Sequence, residues 1–215
     1  MLALNGCEGS TSTLQPAGPA AEVIATLWWV MFIGATLIFG LMMALLVLSF
    51  RARPQTGSAR HQTRIWIVSL GLGFPVVVLL ALLAYGLVVG ERLLPRDDVA
   101  VVRVSAEASR WTWDFTYDDA PGLHTQNVLH IPAGRPIDVA ITTADVIHSF
   151  WVPRLAGKLD AIPGRVNVLR IEADEPGRYQ GLSAEFAGSG YDHFYFTVTA
   201  HDAAGWAAFI GGDAE

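Results

Sequence analysis

Two long runs of uncharged, apolar residues limit the folds that are open to this chain more than any other feature of its sequence. Residues 23–50 contain no charged side chain, and neither do residues 65–90. A helix needs roughly 20 apolar residues to cross the hydrocarbon core of a bilayer, so each run is long enough to span one. The alternative is a core helix of a soluble protein, but two such runs in series favour a hairpin in lipid. The sequence therefore predicts two transmembrane helices.

The short loop between these runs predicts the orientation of the chain. Residues 51–64 carry four arginines and no acidic residue, and short loops rich in positive charge stay on the cytoplasmic side. Both flanking regions, residues 1–22 and 91–215, are then exported. The chain has a net charge of −6, which argues against a nucleic acid as its partner.

The N-terminal leader contains the only cysteine of the chain, Cys7, in the sequence LALNGC. A leucine and a small residue before a cysteine are typical of a bacterial lipoprotein cleavage site, although the apolar stretch before Cys7 is too short for a signal peptide. One hypothesis is a lipidated Cys7 that anchors the exported N-terminus. The other is an ordinary cysteine in a flexible leader.

The C-terminal region, residues 91–215, has the pattern of an all-β domain. Short segments rich in β-branched and aromatic residues alternate with turn signals such as DDAPG, PAGRP and DEPGR. The segments are VAVVRVSAEAS, RWTWDFTY, NVLHIPAG, PIDVAITTAD, VNVLRIEAD and FYFTVTA. Strands of this length and spacing predict a sandwich or a barrel.

One segment of this domain carries a specific family resemblance. The sequence ADVIHSFWVPRLAGKLDAIPGR, residues 144–165, follows two predicted spans and the segment RWTWDFTY. Together these features resemble subunit II of the haem–copper respiratory oxidases, over nearly the whole chain from about Ser12 to Val198. The resemblance implies a cupredoxin-like Greek-key domain on a helical hairpin, in a bacterial inner membrane with the β domain in the periplasm. It also implies assembly with the haem-bearing subunit I and with subunit III.

In the cytochrome c oxidases of this family, the exported domain holds a dinuclear copper centre. Two cysteines bridge the coppers, and two histidines and a methionine complete the side-chain ligands, because soft sulfur and imidazole donors suit copper. When residues 182–196 (LSAEFAGSGYDHFYF) are matched to that motif, only one side-chain ligand is retained. The first histidine is His148, and the remaining ligand positions hold Ser183, Ala187, Tyr191 and Phe194. The sequence therefore predicts that no dinuclear copper centre forms.

Other positions have roles that the resemblance implies. Glu185 matches an acidic residue that reaches a magnesium ion shared with subunit I, and the alternative is a solvated acid. Asp160 and Arg165 resemble residues at the boundary with subunit I, where the alternative is ordinary turn chemistry. Trp111 and Trp113 resemble the aromatic patch that accepts electrons from cytochrome c. Without copper behind them, a packing or interface role is the preferred interpretation.

The histidines leave a further alternative open. His148, without the other copper ligands, is best interpreted as a hydrogen-bonded structural histidine. Its imidazole, with His193, Glu185 and Asp192, has the donor types of a mononuclear metal site. Nothing in the sequence fixes the spacing of these four residues, so this site is the weaker hypothesis.

These observations favour one function and leave two alternatives. The favoured function is subunit II of a proton-translocating haem–copper terminal oxidase that reduces oxygen to water, with quinol as the electron donor. The resemblance implies that the haems, the copper and the quinol site lie on subunit I, so this chain has no catalytic residue and no cofactor beyond a shared magnesium. The first alternative is a cytochrome c oxidase-type complex in which electrons arrive through another subunit. The second is a stand-alone, membrane-anchored, cupredoxin-like metal-binding protein.

Overall fold

A computed structural model of the chain describes residues 9–51, 59–94 and 101–212. The chain divides into two compact units, one of Met1–Ala25 with Leu93–Glu215 and one of Thr26–Arg92. Cys7 and residues 52–58 of the arginine-rich loop lie outside the described residues. The lipidation hypothesis and the orientation of the hairpin therefore stay predictions.

The two uncharged runs form long helices, as predicted. The first is α1 (Pro19–Arg51). The second begins as α2 (Ala59–Thr63), continues as a π-helix (Arg64–Gly73) and ends as α3 (Phe74–Arg92). Both are long and apolar enough to cross a bilayer, and their apolar side chains are exposed. Exposed apolar surface on this scale is expected of helices whose solvent is lipid.

The π-helix in the second run has a local cause. The backbone N–H of Phe74 donates to the carbonyl of Ser69, five residues back, instead of four. A Cβ at Gly71 would lie 3.2 Å from the carbonyl oxygen of Trp66, and one at Gly73 would lie 3.4 Å from the carbonyl five residues before it. Because glycine has no Cβ, these positions admit the close approach that the wider turn brings.

The C-terminal region forms a sandwich of two sheets, which confirms the predicted β architecture. Its strands are β1 (Val102–Ser109), β2 (Thr112–Tyr117), β3 (His124–Gln126), β4 (Val128–Pro132), β5 (Ile137–Thr143), β6 (His148–Trp151), β7 (Leu159–Ala161), β8 (Asn167–Ile171), β9 (Gly177–Ser183) and β10 (Tyr195–His201). One sheet has the order β3-β2-β1-β5-β8 and the other has the order β4-β10-β9-β6-β7. The sequence patterns had indicated six of these strands; β3, β6, β7 and β9 were not anticipated.

Alternation along the strands builds the core between the sheets. In β1, Val102, Val104 and Ala106 are buried while the residues between them are exposed. Successive side chains of a strand point to opposite faces, so such a strand presents one apolar face to the facing sheet. Trp113 and Phe115, on β2, are among the largest side chains that are fully buried in this core.

The described part of the N-terminal leader packs on the sandwich. The backbone N–H of Ala17 donates to the carbonyl of Arg154 at 2.8 Å, and its carbonyl accepts from the N–H of Asp174 at 2.9 Å. Ala17 and Ala20 also lie against the core. The residues before α1, and its first turns, therefore form one compact unit with the β domain.

A short helix after the last strand was not anticipated from the sequence. It is α4 (Ala203–Gly211), and it begins after Asp202, whose carboxylate accepts the backbone N–H of Gly205 at 2.7 Å. An aspartate at this position satisfies one of the free N–H groups of the first turn. The helix buries Trp206 and Phe209 against the sandwich.

Candidate functional site

His148 occupies the first position of β6 and is fully buried. Its Nε2 lies 2.9 Å from Oδ1 of Asp145, and this carboxylate also accepts the backbone N–H groups of Val146 and Arg110. Burial raises the pKa of Asp145, but these hydrogen bonds together outweigh it and hold the pKa below its usual value. An ionised carboxylate only accepts, so Nε2 of His148 carries the proton of this hydrogen bond.

The second nitrogen of His148 has a different environment. Nδ1 is buried and has no hydrogen-bond partner among the described residues. The imidazole ring is edge-on to Phe194 and to Trp113, with centroid distances of 5.4 Å and 6.5 Å. Phe194 in turn stacks on Trp113 at 5.9 Å. His148 is therefore held by Asp145 and packed against aromatic rings.

The four replaced ligand positions differ in burial. Ser183, Ala187 and Phe194 are buried, whereas Tyr191 is exposed and contacts the ring of Phe186 at 5.1 Å. The backbone N–H of Ser183 donates to the carbonyl of Phe194 at 2.9 Å, so two of these positions are joined across the base of the loop. Three of the four positions thus contribute to the interior of the domain.

The two tryptophans of the predicted electron-accepting patch also differ. Trp113 is fully buried, and its Nε1 has no hydrogen-bond partner in the described part of the chain. Trp111 is partly buried and lies edge-on to Phe194 at 6.1 Å. The backbone of Gly190, whose φ is 100°, lies close to this ring, because a Cβ at Gly190 would be 3.6 Å from it. Trp111 alone reaches the surface, and both rings pack against the loop.

The acidic residues of the loop do not meet its histidines at one point. Oε1 of Glu185 accepts the backbone N–H of Phe186 at 3.0 Å. Asp192 and His193 are exposed, with Oδ2 and Nε2 separated by 3.5 Å. Within residues 9–51, 59–94 and 101–212, no three histidine, cysteine, aspartate or glutamate side chains are grouped so that they could hold a metal ion. The structure thus does not assemble the mononuclear site suggested as an alternative.

Asp160 and Arg165 lie on the opposite side of β6 from the loop. Asp160, in β7, is partly buried and is paired in register with Ser149 of β6. Arg165 is exposed and closes the turn that begins at Ile162, with its backbone N–H bonded to the Ile162 carbonyl at 3.1 Å. Neither side chain forms an ion pair with any described residue.

A pair of histidines that sequence reasoning missed lies under α4. Nδ1 of His130, in β4, is 2.8 Å from Nε2 of His201, at the end of β10. The ring of His130 stacks on Phe209 at 4.2 Å. Burial, with the charge of His201, lowers the pKa of His130 to about 4, and burial lowers that of His201 as well. The two residues are 71 positions apart, so no local pattern joins them.

Comparison with known proteins agrees with the fold and the motifs. Residues 112–201 match the family described as "Cytochrome C oxidase subunit II, periplasmic domain". Ubiquinol oxidase subunit 2 of Acetobacter aceti is 30% identical over 93% of this chain and 67% of that protein. Quinol oxidase subunit 2 of Bacillus cereus is 28% identical over 93% of this chain and 72% of that protein. The crystal structure of the periplasmic domain of cytochrome oxidase subunit II (CoxB) of Bradyrhizobium japonicum superposes with a TM-score of 0.50 at 22% identity, over 56% of this chain and 96% of that one.

Proposed function

Because the chain belongs to the subunit II family of the haem–copper respiratory oxidases, we propose that it serves a terminal oxidase that receives its electrons from quinol. Its two apolar helices anchor it in the membrane, and its sandwich is the domain that the family places in the periplasm. The oxidase reduces oxygen to water and translocates protons across a bacterial inner membrane. In this proposal, the chemistry takes place on subunit I, and this chain is a non-catalytic subunit.

The residues of this chain do not fit a dinuclear copper centre. Bridging thiolates are required for such a centre, and the chain has no cysteine after Cys7. The observation that carries the proposal is the position of Phe194, which fills the interior 5.4 Å from the ring of His148 and 5.9 Å from that of Trp113. A methionine ligand of the copper branch would occupy this position. With apolar packing there, electrons have no acceptor in this domain.

Two charged residues in the segment 144–165 support a role of this segment in docking to subunit I. The side chains of Asp160 and Arg165 have no ion-pair partner in the described chain, so both are available to residues of subunit I. Subunit III completes the proposed complex. Glu185 uses one oxygen for the N–H of Phe186, which leaves the other for a shared magnesium ion. Because Mg²⁺ prefers octahedral oxygen ligation, subunit I and water would supply the remaining ligands.

Two alternatives differ in what supports them. The description of the matching family names cytochrome c oxidase, which supports a complex in which cytochrome c donates electrons through another subunit. A stand-alone metal-binding protein has less support, because the described residues do not gather three metal-ligating side chains. Donor choice therefore separates the first alternative from the proposal.

The test is oxygen uptake by the purified complex, with reduced quinol or reduced cytochrome c as the sole donor. We expect turnover with quinol and none with cytochrome c. Metal analysis and electron paramagnetic resonance on the same preparation should give no mixed-valence signal of two coppers. The Ser183→Ala variant is the matched control, because a serine that ligates nothing can be replaced without loss of turnover.

Cytochrome c oxidation by a preparation that lacks other haem c or copper subunits would contradict the proposal. A mixed-valence two-copper signal would contradict it independently, since it requires sulfur ligands that the domain does not contain. Purification of the chain as a monomer without haem would favour the stand-alone alternative.

A further inference from the structure

The two histidines under α4 lie side by side. Nδ1 of His130 and Nε2 of His201 are 2.8 Å apart, whereas the ring centroids are 5.1 Å apart and the ring planes differ by only 12°. Parallel rings whose nearest nitrogens are much closer than their centroids meet edge to edge and not face to face. The two nitrogens therefore point at each other, and one carries the proton that the other accepts.

Phe209 of α4 covers this hydrogen bond. Its ring is parallel to both imidazoles within 14°, with centroid distances of 4.2 Å to His130 and 5.8 Å to His201. It also meets Tyr117 edge-on at 5.1 Å, and Trp206 of α4 lies beside it at 5.6 Å. The histidine pair is thus enclosed on one side by the aromatic rings through which α4 packs on the β domain.

The first turn of α4 fits closely against His201. The carboxylate of Asp202 accepts the N–H of Gly205 at 2.7 Å. A Cβ at Gly205 would lie 3.1 Å from Oδ1 of Asp202 and 3.2 Å from Nδ1 of His201. Because glycine has no Cβ, the backbone of the helix can approach this ring. The end of β10, the N-cap and α4 are therefore in direct contact, and a change in the charge of the histidines acts on the helix.

The surroundings of the pair offer little to balance two positive charges. α4 contains no ionisable side chain. The ionisable side chains on the elements around the pair are Asp114 and Tyr117 of β2, His124 of β3, Arg178 and Tyr179 of β9, Tyr195 of β10, and Asp202 before α4. Asp114 accepts the side-chain amide of Gln126. No carboxylate in the described part of the chain forms an ion pair with His130 or His201.

The number of protons on the pair decides whether its hydrogen bond survives. With one proton added, an imidazolium still donates to a neutral imidazole, and the face of the Phe209 ring tolerates the single charge. Asp202 favours that proton on His201, whereas burial and the charge of His201 lower the pKa of His130 to about 4. With both rings protonated, each nitrogen is a donor without an acceptor, and two like charges are in contact.

We propose that α4 undocks from the β domain as a unit when His130 and His201 are both protonated, and that it stays docked while the pair holds one proton or none. Release hydrates both imidazolium rings and exposes Trp206 and Phe209. Because α4 follows the last strand, it can leave without breaking a strand pair. Local opening of this kind requires less free energy than unfolding of the whole domain.

The test is amide hydrogen exchange of the full chain in detergent micelles, read by mass spectrometry at pH 7 and pH 4.5. The measured quantity is the protection factor, the ratio of intrinsic to observed rate, which removes the pH dependence of the exchange chemistry. We expect the protection factor of α4 to fall about 10- to 30-fold, after allowance for solvent screening. It should lie below that of β1 at both pH values, so that α4 exchanges while β1 stays protected.

Two variants test the site from either strand. His130→Phe keeps an aromatic ring next to Phe209, and His201→Gln keeps a polar side chain next to α4. Each should remove most of the fall, because one histidine cannot place two charges under Phe209. His124→Gln, which replaces an exposed histidine of β3, should show the same fall as the unmodified chain.

The unmodified chain gives a second readout, which needs no variant. In a histidine NMR titration, the pair should bind at most one proton while α4 remains protected. Uptake of two protons with α4 still protected would overturn the proposal. Equal protection factors for α4 and β1 would also overturn it, because the domain would then open only as a whole. An unchanged fall in both histidine variants would show that acid acts elsewhere.

Discussion

The loop of residues 182–196 and the docking segment of residues 144–165 are neighbours, since Ser183 of β9 pairs with Phe150 of β6. The two regions differ in whether the positions of interest are buried in the core or carry charge without an ion-pair partner. In the loop, three of the four replaced ligand positions are buried and contribute packing. In the docking segment, Asp160 and Arg165 keep charges that no described residue pairs. In the proposed function, the loop without copper ligands has become part of the core, while the unpaired charges of the docking segment bind a partner chain.

The strongest test of this comparison is the Phe194→Ala variant. Phe194 is almost fully buried and contacts the rings of His148, Trp111 and Trp113. We expect its truncation to lower the free energy of unfolding of the β domain by about 3–5 kcal/mol, because a large buried ring leaves a cavity. Chemical unfolding of the purified chain, followed by near-ultraviolet circular dichroism, measures this change.

The matched control is Phe186→Ala in the same loop. Phe186 is 72% exposed, so its truncation should change the free energy of unfolding by no more than about 0.5 kcal/mol. Equal effects of the two substitutions would contradict the interpretation that Phe194 is packed in the core.

The docking segment should respond in the opposite way. We expect Asp160→Asn or Arg165→Gln to leave the unfolding of the isolated chain unchanged and to weaken its association with subunit I by about 2–5 kcal/mol, the usual cost of removing one partner of a buried interfacial charge pair. The fraction of subunit I that co-purifies with the chain measures the effect. Glu107→Gln, an exposed acid of β1, is the control, and unchanged co-purification by both docking variants would remove the contrast between the regions.

The histidine pair under α4 gives a third test with a smaller expected effect. Here the side chain of His130 is paired with that of His201, and the measured property is the pH dependence of stability. The pKa of His130 falls from 6.5 to about 4 in the folded chain, through burial and the charge of His201. The unfolded chain then binds more protons between these values, so this contribution to stability is complete above pH 6.5 and is lost as the pH falls towards 4. Since His130 is only partly buried, we expect a loss of about 1–2 kcal/mol after solvent screening.

Unfolding measured at several pH values between 7 and 4.5 checks this expectation. His130→Gln should flatten the pH dependence, and His124→Gln, which replaces an exposed histidine of β3, should not. A steeper loss of stability in the His130→Gln variant would show that the pair is not the source of the acid sensitivity.

The smallest expected effect concerns the replaced ligand position 183. Oγ of Ser183 accepts the backbone N–H of Ser149 at 3.4 Å, a long hydrogen bond, so Ser183→Ala should cost no more than about 1 kcal/mol. Ser149→Ala is its counterpart, because Oγ of Ser149 is buried without a partner in the described chain. Removing that hydroxyl should be neutral or stabilising, and a clear loss of stability on unfolding would show that Oγ of Ser149 has a partner in solution.

Local patterns predicted the parts of the fold that local physics controls. Uncharged runs of sufficient length identified the two apolar helices, and runs of β-branched and aromatic residues between turn signals identified strands such as β1 and β5. The family motif assigned the ligand positions from spacing within one loop and one strand, and this assignment stays a prediction. These features depend on neighbours in the sequence and were therefore accessible before the structure.

The remaining features depend on contacts between distant residues. Phe194 could be recognised as a replaced methionine, but its stacking on Trp113 requires that the two sheets face each other. The pairing of His130 with His201 depends on adjacent strands from distant parts of the chain. The hydrogen bonds of Ala17 to Arg154 and Asp174 join residues from distant parts of the chain, and α4 was missed because nine residues (Ala203–Gly211) give little periodicity.

The π-helix gives the two membrane helices unequal reach. The uncharged run within α1, residues 23–50, rises about 42 Å at about 1.5 Å per residue, which exceeds the roughly 30 Å of bilayer hydrocarbon. The second uncharged run, residues 65–90, is shorter, and the wide turns of its π-helix (Arg64–Gly73) place more residues in each turn and advance the chain less per residue. Hydrophobic mismatch is therefore greater for α1, which has to tilt or project further than its companion. A change in bilayer thickness would therefore change the tilt of the two helices unequally, so the lipid composition of the membrane affects the geometry of this hairpin.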